Sequence, residues 1–115
     1  MNILFIAGEV SGDAYAANLA LEVKKAQQKT TIFSIGGDQL LNVSDHFIFQ
    51  SAYSHGVGVR SKFLKFKFKL NLLNALKNVT YNHHIDLAII IDFQHLNFKI
   101  ASHLQDKKIP IYTFI

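Results

Sequence analysis

Short apolar runs alternate along this chain with stretches whose apolar residues recur at helical spacing. The first run, Ile3 to Ala7, is too short for a helix and does not alternate. That predicts a strand covered on both faces, as in a parallel sheet. From Asp13 to about Gln28, the residues Ala16, Leu19, Ala20 and Val23 form one helical face, ending in Lys24, Lys25 and Lys29, cations that complement a helix dipole. Thr30 to Ile35 is β-branched and apolar and breaks at Gly36-Gly37-Asp38, which predicts a second strand. A short helix over Gln39 to Val43, a strand over His46 to Phe49 and a loop over Ser51 to Gly58 follow.

The segment from Val59 to about His83 carries two competing periods. Lys65-Phe66-Lys67-Phe68-Lys69-Leu70 alternates as a strand would, whereas Phe63, Phe66, Leu70, Leu73 and Leu76 repeat every three or four residues, with Leu72, Ala75 and Val79 widening that stripe. Asn71 to Lys77 has no β-branched residue and is rich in Leu, Ala and Lys, so one long helix is expected. Asp86 to Asp92 reads as a buried strand, His95 to Asp106 as a helix through Leu96, Ile100, Ala101 and Leu104, and Pro110 to Ile115 as a last strand. Strands alternating with helices predict a three-layer α/β/α domain around a mainly parallel sheet of about five strands, joined by right-handed crossovers. Ligands of such sheets bind beyond the carboxyl ends of the strands, at the switch point. Glu9 follows the first strand and Asp92 ends the fourth, so the usual strand order makes them neighbours there.

Composition narrows the picture. The 115 residues make one domain over residues 1–115, and 50% hydrophobic against 17% charged content argues against disorder. The absence of cysteine excludes disulfides and thiolate metal sites. Met1-Asn2-Ile3 leads straight into a strand, unlike a signal peptide, and no apolar run approaches the ~20 residues of a membrane span. A cytoplasmic location is expected. The single proline and the lack of a Gly/Ser tract leave no visible linker.

Candidate chemistry begins at Gly8-Glu9-Val10-Ser11-Gly12-Asp13. Gly8 and Gly12 would let the backbone bend, while Ser11 and Asp13 are cap-type residues at the start of the helical pattern. A helix N-terminus offers free N–H groups to a phosphate, a sugar hydroxyl or a carboxylate, and Glu9 favours the hydroxyl because it would repel an anion. Asp92 is a candidate general base for hydroxyl chemistry, set against a helix-capping or turn-forming role. The Gly-x-x-x-Gly spacing is neither a dinucleotide fingerprint nor a P-loop, and no histidine near Ser11 supports a nucleophilic serine. His83-His84 with Asp86, and His95 with His103, lack zinc-site spacing, so neither metal nor cofactor is expected. Arg60, Lys62, Lys65, Lys67, Lys69 and Lys77 interleave with Phe63, Leu64, Phe66, Phe68 and Leu70. That pattern fits a helix lying on an anionic membrane, with Phe63, Lys65, Phe66, Lys67 and Lys69 as lipid contacts. It equally fits an ordinary helix with a solvated lysine face. The net charge of +4 comes with no nucleic-acid-binding motif.

Several of these residues together resemble the lipid-A-disaccharide synthase family, over the whole chain. Ala7-Gly8-Glu9-Val10-Ser11-Gly12-Asp13 matches the family's Ala-Gly-Glu-x-Ser-Gly-Asp signature, and Ser34-Ile35-Gly36-Gly37 its second-strand Gly-Gly turn. Val57-Gly58-Val59 falls at its hydrophobic-Gly-hydrophobic step, and Ile91-Asp92 through Asn97 at its Asp-x-Pro-Asp-Phe-Asn strand end. The resemblance implies a glycosyltransferase with two Rossmann-like domains (the GT-B arrangement), of which this chain is the incomplete acceptor-side part. Its reaction would join diacylglucosamine from UDP-diacylglucosamine to diacylglucosamine 1-phosphate in lipid A synthesis, at the inner face of the inner membrane. Asp92 would be catalytic, and Glu9, Ser11, Gly12, Asp13 and Asn97 would contact substrate. Asp92-Phe93-Gln94-His95-Leu96-Asn97 departs from the pattern by lacking the Pro and the second Asp, where His95 stands. The nucleotide-sugar domain is absent, which implies an inactive isolated chain and, as a partner, a separately encoded second half. Two other readings stay open, a small flavodoxin-like nucleotide- or phosphate-binding module and a non-enzymatic membrane-associated protein. The apolar Pro110 to Ile115 edge is expected to be a pairing hazard.

Overall fold

The computed structural model describes residues 1–51, 62–91 and 97–114, and the side chains of all of these except 62–65 and 97. The elements run β1 (Asn2–Ala7), α1 (Val10–Ala26), β2 (Thr31–Gly36), α2 (Asp38–Val43), β3 (His46–Gln50), α3 (Lys62–Asn82), β4 (Leu87–Ile91), α4 (Asn97–Asp106) and β5 (Ile111–Phe114). The strands form one sheet in the order β3-β2-β1-β4-β5, and all four pairings are parallel. The expected α/β class, the strand count and the parallel sheet are therefore as read from the sequence.

Strand periodicity divides the core into two layers. Leu4, Ile6, Phe33, Ile35, Ala88 and Ile90 face Leu72, Leu76 and Val79 of α3 and Ile100 and Leu104 of α4. Ile3, Phe5, Ala7, Ile32, Ile89 and Ile91 face Ala16, Ala17 and Ala20 of α1 and Leu40 of α2. Successive side chains of a strand point to opposite faces, so an unbroken apolar run is what a doubly covered strand requires. The small alanines of α1 present little side-chain bulk towards β1 and β4. Leu19 and Val23 complete that face from partly buried positions, as the helical spacing predicted.

The long helix packs Leu72, Leu73, Leu76 and Val79 of the expected stripe against the core and corrects its earlier part. Lys62–Asn82 is helical, but its buried stripe is Leu72, Leu76 and Val79, with Phe68 and Leu73 packed against it. Phe66 is 59% exposed and Leu70 45% exposed, although the expected stripe ran through both. On a helix, residues 66 and 70 share a face that the 68-72-76-79 row turns away from the sheet.

The amino-terminal pole is held by carboxylates. Asp86 Oδ2 accepts the Asn2 N–H at 2.7 Å, while the Asn2 side chain donates to the His84 carbonyl at 2.7 Å. His84 Nε2 lies 3.1 Å from Asp86 Oδ1. Asp45 accepts the Ile32 N–H at 2.8 Å and pairs with Lys24. Behind α3, Thr80 donates to the Leu76 carbonyl at 2.9 Å, and its oxygen lies 2.8 Å from His103 Nε2 of α4.

Candidate functional site

The order β3-β2-β1-β4-β5 reverses direction between β1 and β4, so the switch point lies where the sequence placed it. Ala7 of β1 pairs with Ile91 of β4, and the Gly8 N–H reaches the Ile91 carbonyl at 3.4 Å. The two strands therefore end side by side. Beyond Ala7 the chain turns at Gly8 and Glu9 and enters α1 at Val10, with Glu9 as the N-cap in extended backbone. Glu9 and Ser11 are exposed at this rim. The α1 N-terminus opens here, and the Glu9 carbonyl accepts the Asp13 N–H at 2.8 Å.

The local geometry corrects the expected division of labour within the opening segment. Ser11 and Asp13 do not cap α1, because the helix begins before them, and Glu9 makes no side-chain cap bond. Gly12 lies inside the first turns of α1, buried, and no glycine among the described residues has a positive φ. Asp13 acts instead across the fold. Its Oδ1 accepts the Gly37 N–H at 2.7 Å and the Leu40 N–H at 3.2 Å, and its Oδ2 accepts the Gln39 N–H at 2.9 Å. These are the free N–H groups at the start of α2, whose own N-cap, Gly37, has no side chain to offer. A buried carboxylate on one helix thus caps another. Gly36 makes the close approach possible, since a Cβ there would lie 2.5 Å from Leu40 Cδ1 and 3.1 Å from Asp13 Oδ1.

Ser51 is a rim residue that sequence reasoning passed over as loop. Its N–H donates to the Gly36 carbonyl at 2.9 Å, and its buried hydroxyl donates to the Ala7 carbonyl at 2.6 Å. The end of β3 is thereby fastened to the ends of β2 and β1, giving the rim a fixed floor. A serine at a strand end carries no local mark of such a role.

Asp92 lies outside the described residues, as do 52–61, which hold Val57, Gly58 and Arg60, and His95. The Asn97 backbone begins α4, and the Phe63 and Lys65 backbones lie in α3. Lys67 is exposed and Lys69 half-buried. Among the described residues, no group of three or more His, Asp and Glu side chains could hold a metal ion, and no helix is long and apolar enough to cross a membrane.

Comparison with known proteins places the chain in a family. The sequence profile described as Lipid-A-disaccharide synthetase matches residues 3–115. The chain belongs to the lipid-A-disaccharide synthase family. Among curated relatives, the lipid-A-disaccharide synthase of Myxococcus xanthus is 26% identical over 113 residues, covering 98% of this chain and 30% of that protein. That of Syntrophus aciditrophicus is 27% identical over 113 residues, with the same coverage of 98% and 30%. The chain thus spans about a third of the length of these lipid-A-disaccharide synthases. In architecture it is similar to the C-terminal domain of a Pyrococcus furiosus hydrogenase, with a TM-score of 0.73 at 11% identity, over 99% of this chain and 90% of that one. This last likeness concerns the fold alone, a parallel α/β domain of Rossmann-like form.

Proposed function

We propose that residues 1–115 form the front, acceptor-side part of a lipid-A-disaccharide synthase-like glycosyltransferase domain, whose nucleotide-sugar domain lies outside these residues. The observation that carries this reading is the pairing of Ala7 with Ile91, which brings the ends of β1 and β4 together at the switch point. Glu9 follows one of these strands and Asp92 the other, so two carboxylates can serve one ligand. In the proposed reaction, a hydroxyl oxygen of diacylglucosamine 1-phosphate attacks the anomeric carbon of UDP-diacylglucosamine. The bond from that carbon to the UDP oxygen breaks, UDP leaves with the electron pair, and Asp92 takes the hydroxyl proton as general base. Glu9 accepts a hydrogen bond from a neighbouring sugar hydroxyl, a role suited to an exposed carboxylate. Ser11, exposed in the first turn of α1, offers a further polar contact, and Asn97 at the start of α4 is the remaining candidate for substrate contact. Asp13 serves the ligand indirectly, by fixing the α1–α2 junction beneath the rim.

The chain alone forms no product in this reading, because the donor-binding domain is not among its residues. The test is a product assay with UDP-diacylglucosamine and diacylglucosamine 1-phosphate, run with and without the remaining domain of a relative. Turnover by the 115 residues alone would overturn the division of roles.

A second element of the proposal concerns location. Phe66, Leu70 and Tyr81 are exposed on α3 together with Lys67, a combination suited to an anionic lipid surface on the cytoplasmic face of the inner membrane. Co-sedimentation with vesicles containing anionic lipid, lost when Lys65, Lys67 and Lys69 are replaced by Glu, is the expected result. Binding indifferent to those charges would remove the electrostatic part.

A further inference from the structure

Towards the amino-terminal pole, on the side of the sheet that α3 covers, two histidines from separate elements share one aromatic support. Phe33 of β2 is 2% exposed and packs in the α3 layer of the core. His46, the first residue of β3, is its partner in the parallel register, and residues paired in this way project to the same face of the sheet. Their rings stack, with centroids 4.8 Å apart and planes inclined by 20°. His83 directly follows α3, where its N–H reaches the Val79 carbonyl at 3.0 Å, and its ring meets Phe33 from the other side of the cluster, also at 4.8 Å. The two imidazoles thereby stand 5.7 Å apart, centroid to centroid. Both histidines are exposed, and neither ring has a hydrogen bond to a described residue.

Neutral imidazole is the commonest protein ligand for transition metals and suits zinc, copper and nickel. Two rings bound to one such ion at ~2.0–2.1 Å have centroids roughly 5 Å apart at a tetrahedral angle and roughly 6 Å apart as that angle opens. The observed 5.7 Å lies within this interval, so side-chain rotation suffices to aim both rings at one ion. The neighbouring carboxylates are already engaged, Asp45 by the Ile32 N–H and Lys24, Asp86 by the Asn2 N–H and His84. No third His, Asp or Glu completes a set among the described residues. We infer that His46 and His83 form a two-histidine site for a zinc-like divalent cation, with water in its remaining positions. A closed structural zinc site takes four protein ligands, so this ion exchanges readily and keeps open coordination positions. It also clips the first residue of an edge strand to the end of α3, and an ion that binds only the folded arrangement stabilises it by mass action. The spacing of His83, His84 and Asp86 along the chain gives no sign of the site, because its second ligand arrives from β3.

The test titrates the 115-residue chain with Zn²⁺ in a non-chelating buffer, followed by the NMR signals of the histidine rings and by unfolding in urea. The His46 and His83 rings should shift together and saturate at one ion per chain, while the His84 and His103 rings stay in place. At a free Zn²⁺ concentration about ten times its Kd, the unfolding equilibrium constant should fall about tenfold. Mg²⁺, which prefers oxygen ligands, should move neither ring. Loss of a partner that merely orients a ligand weakens metal binding about 10–100-fold, so His46→Gln and His83→Gln, each removing a ligand, should weaken it by at least about tenfold. His84→Gln should leave it unchanged. The ring shifts of the unsubstituted chain decide the matter should a variant fail to fold. Still rings at His46 and His83, a response at His84 in place of His83, or equal affinity in the two ligand variants overturns the proposal. So does saturation at one ion per two chains, which would make the site a bridge between copies.

Discussion

The carboxyl rim of the sheet and the α1–α2 junction beneath it draw on the same seven-residue segment, Ala7 to Asp13, and treat its two carboxylates in opposite ways. Glu9 stands exposed at the rim, whereas Asp13, about one helical turn later, is buried and accepts three backbone N–H groups of the next βα unit. Acidic character in a signature therefore says little about which carboxylate meets a ligand. The partners decide it: backbone amides saturate one side chain, and the rim leaves the other facing outward.

The largest effect expected from breaking this contrast is at Asp13. Asp13→Ala strips the acceptor from Gly37, Gln39 and Leu40, and no side chain of α2 replaces it. Hydrogen bonds to charged groups contribute about 1.5–3 kcal/mol each and are not additive, so a loss of about 3 kcal/mol or more is expected in urea unfolding. Asp13→Asn should lose less, because one oxygen still accepts while its amide group meets an N–H. A loss below about 1 kcal/mol for the alanine variant would show that α2 is held mainly by Leu40 and its apolar neighbours.

Acid should loosen the molecule in two windows, both away from the rim. Burial lowers the His103 pKa below its ordinary 6.5, aided by Lys107 and Lys77, so the folded state prefers the neutral ring. The unfolded chain then binds the proton first; this contribution is complete above 6.5 and is lost as pH falls below it. Asp86 is lowered from 3.8 chiefly by the Asn2 N–H, and Asp45 from 3.8 chiefly by the Ile32 N–H and then by Lys24. Their contribution is complete above 3.8 and is lost as pH falls through the lowered values. The stability of the protein, followed by urea midpoints against pH, should therefore fall in a shallow first step and a second below 3.8. His103→Gln should remove only the first. Persistence of both steps in that variant would assign the first to another group.

Much of the architecture was legible because strand burial writes itself into short apolar runs. Ile3–Ala7 and Leu87–Ile91 have no polar position, as two covered faces demand. The buried stripe of α3 was legible only in part. Leu72, Leu73, Leu76 and Val79 of the expected stripe meet the core, whereas Phe66 and Leu70 are exposed and Phe68, outside that stripe, packs inward, because spacing alone cannot fix which edge of a wide apolar stripe meets the sheet. The role of Asp13 was hidden for a different reason. Its partners lie more than twenty residues away, so a cap-type residue beside a helix start was read as capping that helix. Ser51, likewise, bonds to Ala7 across 44 positions of sequence. Local chemistry marks which residues can form such bonds, and only topology supplies the partner.

The smallest expected effect on stability is the most informative about function. Glu9→Gln keeps the size and hydrogen-bonding reach of the side chain and removes its charge. Glu9 is exposed and makes no cap bond, so urea unfolding should change by no more than about 1 kcal/mol, and by less in high salt. The charge itself slightly favours the α1 N-terminus, an interaction worth about 0.3–1 kcal/mol at most and weakened by salt. If the rim receives a sugar hydroxyl, the same variant should weaken acceptor binding in the assembled enzyme several-fold, because an amide oxygen accepts less strongly than a carboxylate. The pairing of outcomes separates the readings. Stability unchanged with binding weakened assigns Glu9 to the ligand. Stability lowered with binding unchanged would make Glu9 a helix-start residue, and the rim would then lose one of the two carboxylates on which the acceptor reading depends.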